Sequence, residues 1–315
     1  MAKEDGTFLL RNIPPGKYDL TISSVGYKLV SLPFALTEGG PPLVVKMDPE
    51  VNLLNEVVIK SKKENRSRYL RIFKEQFLGG TSNSSLCRIR NEDKIDFDFD
   101  KETFLLRAFC AEPIEVENSA MGYRVFYVLT KFEAKIGKGF YKVSSSGVPR
   151  FEELTPRDEN EAKRWQRERE RAYRGSMNHL MRSLARHELS ENDFLLYIRR
   201  KGSDNDVHEG KDDFQALDES YVMSSRPDSL STLKIIYVGE VPDWNYPRKT
   251  TAEISYLYFR DKGLVIHSNG YFDNFEGFDI AGYLGWTGGI AELVPLEFQP
   301  ETAVELGKQN KNDGR

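Results

Sequence analysis

The residues nearest to an acid and base set in this chain are Asp96 and Asp98 in "KIDFDFD" and Glu115 and Glu117 in "PIEVEN". Alternate residues of a strand point to one face, so each pair lies on a strand surface. A hydrolase built from them needs a shared concave pocket, with carboxyls about 5 to 9.5 Å apart if glycosides are cut. Asp96, Asp98 and Asp100 also invite a calcium reading. A calcium loop, however, wraps its ion with a central Gly bend and a distal Glu, both missing here, so a solvated strand face is the simpler account.

The four histidines, His179, His187, His208 and His267, contain no H-E-x-x-H or H-x-x-E arrangement. A catalytic zinc needs two ligands on one element, a distant third and an open position for water. His179 and His187 fall more than two turns apart on one predicted helix, about 12 Å by helix rise, and cannot share a metal. No G-x-S-x-G elbow is present. The Gly strings "LGGTSNSS" and "GWTGG" lack the Lys-Ser/Thr ending of a phosphate loop, and read as turns and caps. Cys87 and Cys110 are the whole cysteine complement. They form either one bridge or two small buried hydrophobes. Tyr283 and Trp286 are the ligand-binding candidates: exposed, they offer an aromatic platform for a sugar ring; buried, they are core. No residue is assigned to catalysis, to a cofactor or to a metal.

The elements that must carry these groups are mostly strands. The chain has 315 residues, enough for about two domains without disulfide or metal staples. Tyr and Phe number 15 and 19, many in alternating runs that suit half-buried strands. A net charge of -4 argues against a nucleic-acid partner, which favours a basic excess. No apolar run of about 18 residues spans a membrane, and the first residues lack the pattern of an export signal.

Residues 1–60 give short strand signals, "TFLL", "YDLTISSVGY", "LVSLPFAL", "LVVKM" and "NEVVI", separated by turns at Pro14-Pro15-Gly16 and Gly39-Gly40-Pro41-Pro42. In this region Tyr18, Leu20 and Ile22 share one face. "KSKKENRSR" marks a boundary, with a linker over 61–68. Tyr69, Ile72, Phe73 and Phe77 then line one face of a short helix that Gly79 and Gly80 stop. Strands resume over 86–146, including a hairpin turning near Asp100-Lys101-Glu102. One long helix is expected from Glu159 to His187, apolar along Trp165, Tyr173, Leu180 and Leu184 and charged outside at Arg164, Arg167, Arg171, Arg174 and Arg182. A polar insertion occupies 202–230, and "RDKGL" joins two later strands as a hairpin. Residues 301–315 read as a tail.

"EDGTFLLRNIPPGKYDLTISSVGY" resembles the carboxypeptidase regulatory-like domain, a transthyretin-like β-sandwich, and "LNEVVIKSK" resembles the exit from it. The stretches "YLRIFKEQFLGGTSNSSLCRIRN", "EPIEVENSAMGYRVFYVLTKFE", "RFEEL", "WQRERERAYRGSMNHLMRSL" and "IAELVPLEF" are similar to the companion region of Bacteroidetes carboxypeptidase-like regulatory domain-containing proteins. That resemblance implies no catalytic residues, because the peptidase metal domain is absent. It implies a periplasmic or outer-membrane location, and an envelope protein or glycan as partner.

The expected fold is therefore mainly β, α+β overall. It comprises a small sandwich over 1–60 and a larger antiparallel-sheet domain over 69–300 with two or more flanking helices. The resembled sandwich normally has further strands before its Gly turn. The expectation is thus an incomplete sandwich with an open strand edge and apolar surface beside Phe8, Leu10 or Leu20. The expected function is non-catalytic binding or assembly, with a hydrolase using strand-borne carboxylates as the alternative.

Overall fold

The computed structural model describes residues 63–137, 141–200, 231–260 and 278–300, together with 3, 5–10, 16–22, 27, 30–36, 42–48, 215–216, 266 and 272. Within these it is mainly β, with antiparallel sheets and a smaller helical share, as the alternating aromatic runs imply. Pro14 and Pro15 of the first expected turn, most of Gly39-Gly40-Pro41-Pro42, "NEVVI", the 202–230 insertion apart from Gln215–Ala216, residues 261–264 of "RDKGL", His208, His267 and the 301–315 tail lie outside the described residues.

The chain forms two compact units. The first gathers residues 1–65, 93–114 and 127–148. In it, β1 (Gly16–Ile22) pairs antiparallel with β2 (Val30–Leu36), Gly16 opposite Leu36. Tyr18, Leu20 and Ile22 are half-buried on the shared face. "TFLL" and "LVVKM", expected as strands, take no part in a sheet among the described residues, and Leu9 and Val44 are exposed. A favourable strand composition alone does not make a ladder, which needs a paired partner for its N–H groups. Phe8 and Leu10 are exposed and Leu20 is half-buried.

The "DFDFDKETFLL" hairpin forms as read. Strand β4 (Ile95–Asp100) pairs with β5 (Leu105–Cys110), with Asp98 opposite Arg107. Ile95 and Phe97 are buried while Asp96 and Asp98 are exposed. Asp100 fixes the turn: its carboxylate accepts from Glu102 N–H at 2.8 Å and from the Thr103 hydroxyl at 2.6 Å. These bonds hold the Asp100 carboxyl below the usual carboxylate range. β5 also pairs with the later part of β7 (Tyr123–Ile136), Leu105 opposite Lys135. β7 in turn carries β8 (Tyr141–Glu153).

The second unit gathers residues 66–92, 115–126 and 149–315. Helix α1 (Lys63–Leu78) buries Tyr69, Ile72, Phe73 and Phe77, with Phe73 stacked on Phe77 at 4.7 Å. It begins at Lys63, inside the segment read as linker: Lys, Glu and Arg are good helix formers, so a polar run extends the helix by another turn. β3 (Cys87–Ile89) pairs with β6 (Ile114–Asn118), Arg88 opposite Glu117.

The single long helix expected over 159–187 is two. Helix α2 (Glu159–Tyr173) is capped by Asp158, whose carboxylate accepts from Glu161 N–H at 2.8 Å. Helix α3 (Met177–Arg186) is capped by the Ser176 hydroxyl, which accepts from His179 N–H. Between them Gly175 sits at φ 71°, a left-handed conformation that ends the α2 hydrogen-bond ladder. Buried in the same break, His179 Nδ1 accepts from Gly175 N–H at 3.1 Å.

α3 packs on the second sheet. Its order is β10 (Gln215–Ala216), β9 (Phe194–Arg200), β11 (Ser231–Tyr237), β12 (Glu253–Phe259), β13 (Phe278–Gly282), with antiparallel pairing throughout. Leu180, Met181 and Leu184 meet Leu196, Leu233, Ile235 and Leu257 in one buried cluster. This rigid layer fixes the last residue of β11 and the first of β12 beneath the α2–α3 break.

Candidate functional site

A cavity of about 680 Å³ opens in the second unit, lined from α2, the helix break, the loop after β11, the start of β12 and the chain after β13. Its walls are largely apolar, but a ring of charged and phenolic groups converges there: Arg171, Arg174, Glu240, Asp243, Glu253 and Glu292, with Tyr283 among them.

Glu253 is the first residue of β12 and lies opposite Tyr237, the last of β11. It is buried, at 5% exposure. Its Oε2 lies so close to Gly175 that a Cβ added there would stand 2.4 Å away. Burial, reinforced by the neighbouring Glu240 charge, pushes the Glu253 carboxyl up to about 8, so at neutral pH it is largely protonated. The Tyr283 hydroxyl is its hydrogen-bond neighbour, and the same hydroxyl accepts from Asp243 N–H at 3.0 Å. Burial and the Glu253 charge raise the Tyr283 phenol above its ordinary value, which keeps it a neutral donor.

Asp243 has the opposite character. Burial opposes its charge, but hydrogen bonds from Asn245 N–H at 2.8 Å, Ser82 N–H at 3.1 Å and the Ser82 hydroxyl at 2.8 Å outweigh it. Its carboxyl is held below the usual range. Thus Tyr283 joins a neutral carboxyl to the backbone of a residue bearing an ionised one.

The arginines hold the remaining carboxylates. Arg171 Nη2 donates to both oxygens of Glu292, at 3.2 and 3.1 Å, and its Nε donates to Glu168 at 2.9 Å. Burial works against the Arg171 charge, but Glu292 and Glu168 more than offset it, and its proton is held more tightly than usual. Burial raises Glu292 despite that pairing. Arg174 reaches Glu240 at 3.6 Å, and burial raises Glu240 as well. Arg171 and Arg174 were read from the sequence as outer-face residues. Their helix buries one side in the unit core and turns them to the cavity wall. Arg182, read the same way, is buried outright.

The residues chosen from the sequence fall as follows. Tyr283 lines the cavity, but with its ring buried. It packs edge-on to Tyr246 at 5.1 Å and lies 5.6 Å from Trp286, which also meets Tyr246 at 5.2 Å. Asp96, Asp98, Glu115 and Glu117 do not line this cavity. Asp98 pairs with Arg107 at 3.4 Å, and Glu115 pairs with Arg124 at 3.3 Å. Both cysteines are free and half-buried, and burial pushes the Cys87 thiol up to about 12. Among the described residues no group of three His, Cys, Asp or Glu side chains is placed to hold a metal ion.

Sequence reasoning missed Glu240, Asp243, Glu253 and Glu292. The available signal was modest: in "AEISYLYF" a glutamate occupies an inward-facing position of an alternating strand. No protein-family model matches this chain, and no curated protein or solved structure is significantly similar to it.

Proposed function

We propose that this chain is a non-catalytic binding or assembly protein of the cell envelope, and that its second unit takes a small ligand into the cavity beside Glu253. The observation carrying this reading is the cavity itself: an apolar recess with a few convergent polar groups, already held by their own hydrogen bonds and ion pairs. Such preorganisation orients a ligand without ordering the protein further. The envelope location rests on the resemblance of residues 4–60 to the regulatory-like sandwich, which also supplies the transthyretin-like reading of β1 and β2. Titration calorimetry of the full chain against glycan and short-peptide panels tests the reading. Saturable binding without turnover is expected; reproducible cleavage of any substrate overturns the non-catalytic claim.

One observation favours a second reading, a hydrolase. Glu253 is held protonated and Asp243 ionised within one cavity, the separation that acid–base chemistry uses. In that reading Glu253 is the general acid and Asp243 the base. Turnover abolished by both Glu253→Gln and Asp243→Asn would establish it, and a chain inert toward peptides and glycosides would remove it.

A further inference from the structure

Resting on the pocket reading above, we infer that the ligand is a carbohydrate, bound with one pyranose face on Trp244 and a sugar oxygen accepting from Asn83. Three observations carry this. Trp244 lines the cavity yet is 77% exposed. Tyr246 and Tyr283, which also line or adjoin this region, are buried in a packed group with Trp286, whereas the Trp244 ring stands uncovered. Covering such a ring removes apolar area from water at little entropy cost.

Asn83 supplies the second observation. It lines the same cavity and is 4% exposed, and its buried side-chain Nδ2 has no hydrogen-bond partner among the described residues. A buried amide donor left unmade is costly, and because Asn83 lines the cavity, a rotation that turns its amide inward would give Nδ2 a ligand oxygen as acceptor. Asn83 and Trp244 are brought to one place by their chain neighbours: Ser82 donates twice to Asp243, at 3.1 Å from N–H and 2.8 Å from the hydroxyl. One clamp therefore sets both the stacking ring and the orphan donor.

The third observation is charge. Arg171 is engaged by Glu168 and Glu292, and Arg174 by Glu170 and Glu240. An anionic or cationic ligand would compete with these pairs, whereas a neutral polyol adds hydrogen bonds to carboxylate lone pairs while they stay intact. A molecule with an apolar C–H face, several hydroxyls and no net charge matches the wall chemistry.

The full chain is titrated with glucose, galactose, N-acetylglucosamine and their β-linked trimers, followed by calorimetry and tryptophan fluorescence. Saturable binding of at least one sugar is expected. Trp244→Ala should weaken it about tenfold, the scale of one aromatic contact, with an unchanged melting temperature because the ring is exposed. Asn83→Ala should weaken it similarly, and Trp244→Phe should retain most of the affinity. Short neutral peptides form the second arm. If peptides bind in a Trp244-dependent manner and no sugar does, the carbohydrate assignment falls and the pocket reading stands. Sugar binding that both alanine variants leave unchanged overturns the proposed seat. If neither class binds, both readings fall.

Discussion

Tyr237 and Glu253 face each other across the end of the β11–β12 ladder, and both side chains close on Gly175. A Cβ at position 175 would lie 2.4 Å from Glu253 Oε2 and 2.7 Å from Tyr237 Cδ1. The break between α2 and α3 is thus a packing requirement of the sheet beneath it, and the same contact buries the carboxyl at the cavity floor.

Gly175→Ala should therefore destabilise the protein twice over, through a strained positive φ of 71° and through overpacking against two fixed side chains. The combined cost is about 3 kcal/mol. Urea unfolding checks it as a fall in midpoint with the slope unchanged. A variant as stable as the parent would show that α2 and α3 can separate from the sheet without loss.

Glu253 makes stability fall with rising pH. Its folded-state value near 8 exceeds its ordinary 4.5, so the folded state binds the extra proton between those values. The associated stability is fully present below pH 4.5 and is lost as pH rises through 8. Burial raises the Glu253 value most, with the Glu240 and Glu292 charges adding, while the Tyr283 hydrogen bond and the Arg171 charge pull it back down. The swing is on the order of 5 kcal/mol. Glu253→Gln should flatten this limb in unfolding curves taken from pH 5 to 9. An unchanged slope would mean that another group titrates there.

Much of the architecture could be read from residues that speak locally. Ile95 and Phe97 alternate with Asp96 and Asp98 because a strand has period 2, and the hairpin turns at Asp100 because that carboxylate binds the following N–H groups. The α1 face at Tyr69, Ile72, Phe73 and Phe77 is equally local. The α2–α3 break was masked by helical spacing that runs on through Trp165, Tyr173, Leu180 and Leu184, although "GSMNH" holds both a positive-φ glycine and a serine cap. Glu253 was illegible for a different reason. Its burial depends on a glycine far away in sequence, and strand alternation carries no record of which distant backbone will cover a given position.

His179 should titrate well below a free histidine. Burial among Tyr173, Phe194 and Tyr237, with ring distances of 4.9, 4.9 and 5.8 Å, lowers it to about 4. Asn192 and Asp193 pull it upward, while Arg174 and Arg182 add to the lowering. Nδ1 accepts from Gly175 N–H, so Nε2 carries the proton and donates to Asn192. Here the unfolded state binds the extra proton, so stability is full above 6.5 and declines as pH falls toward 4, by about 3 kcal/mol. Between 4.5 and 6.5 this slope opposes that of Glu253. Proton NMR of the imidazole signals checks it: a His179 resonance titrating near 6.5 would show that the ring is wet.

Arg182 ties α3 to the chain after the cavity wall. It is 4% exposed, its Nη1 donates to the Phe298 carbonyl at 2.7 Å and to the Tyr173 hydroxyl at 3.2 Å, and its Nη2 donates to the Leu296 carbonyl. Its guanidinium also lies 5.3 Å from the Tyr173 ring centre. Arg182→Met keeps much of the side-chain volume but leaves two carbonyls without this donor, a loss of about 2 to 3 kcal/mol. Because those carbonyls belong to residues 295–298, the first consequence should be local: faster cleavage at Glu297 by a glutamate-specific protease, ahead of global unfolding. Cleavage at the parent's rate, with an unchanged melting temperature, would show that the segment is held by Val294 and its apolar neighbours alone.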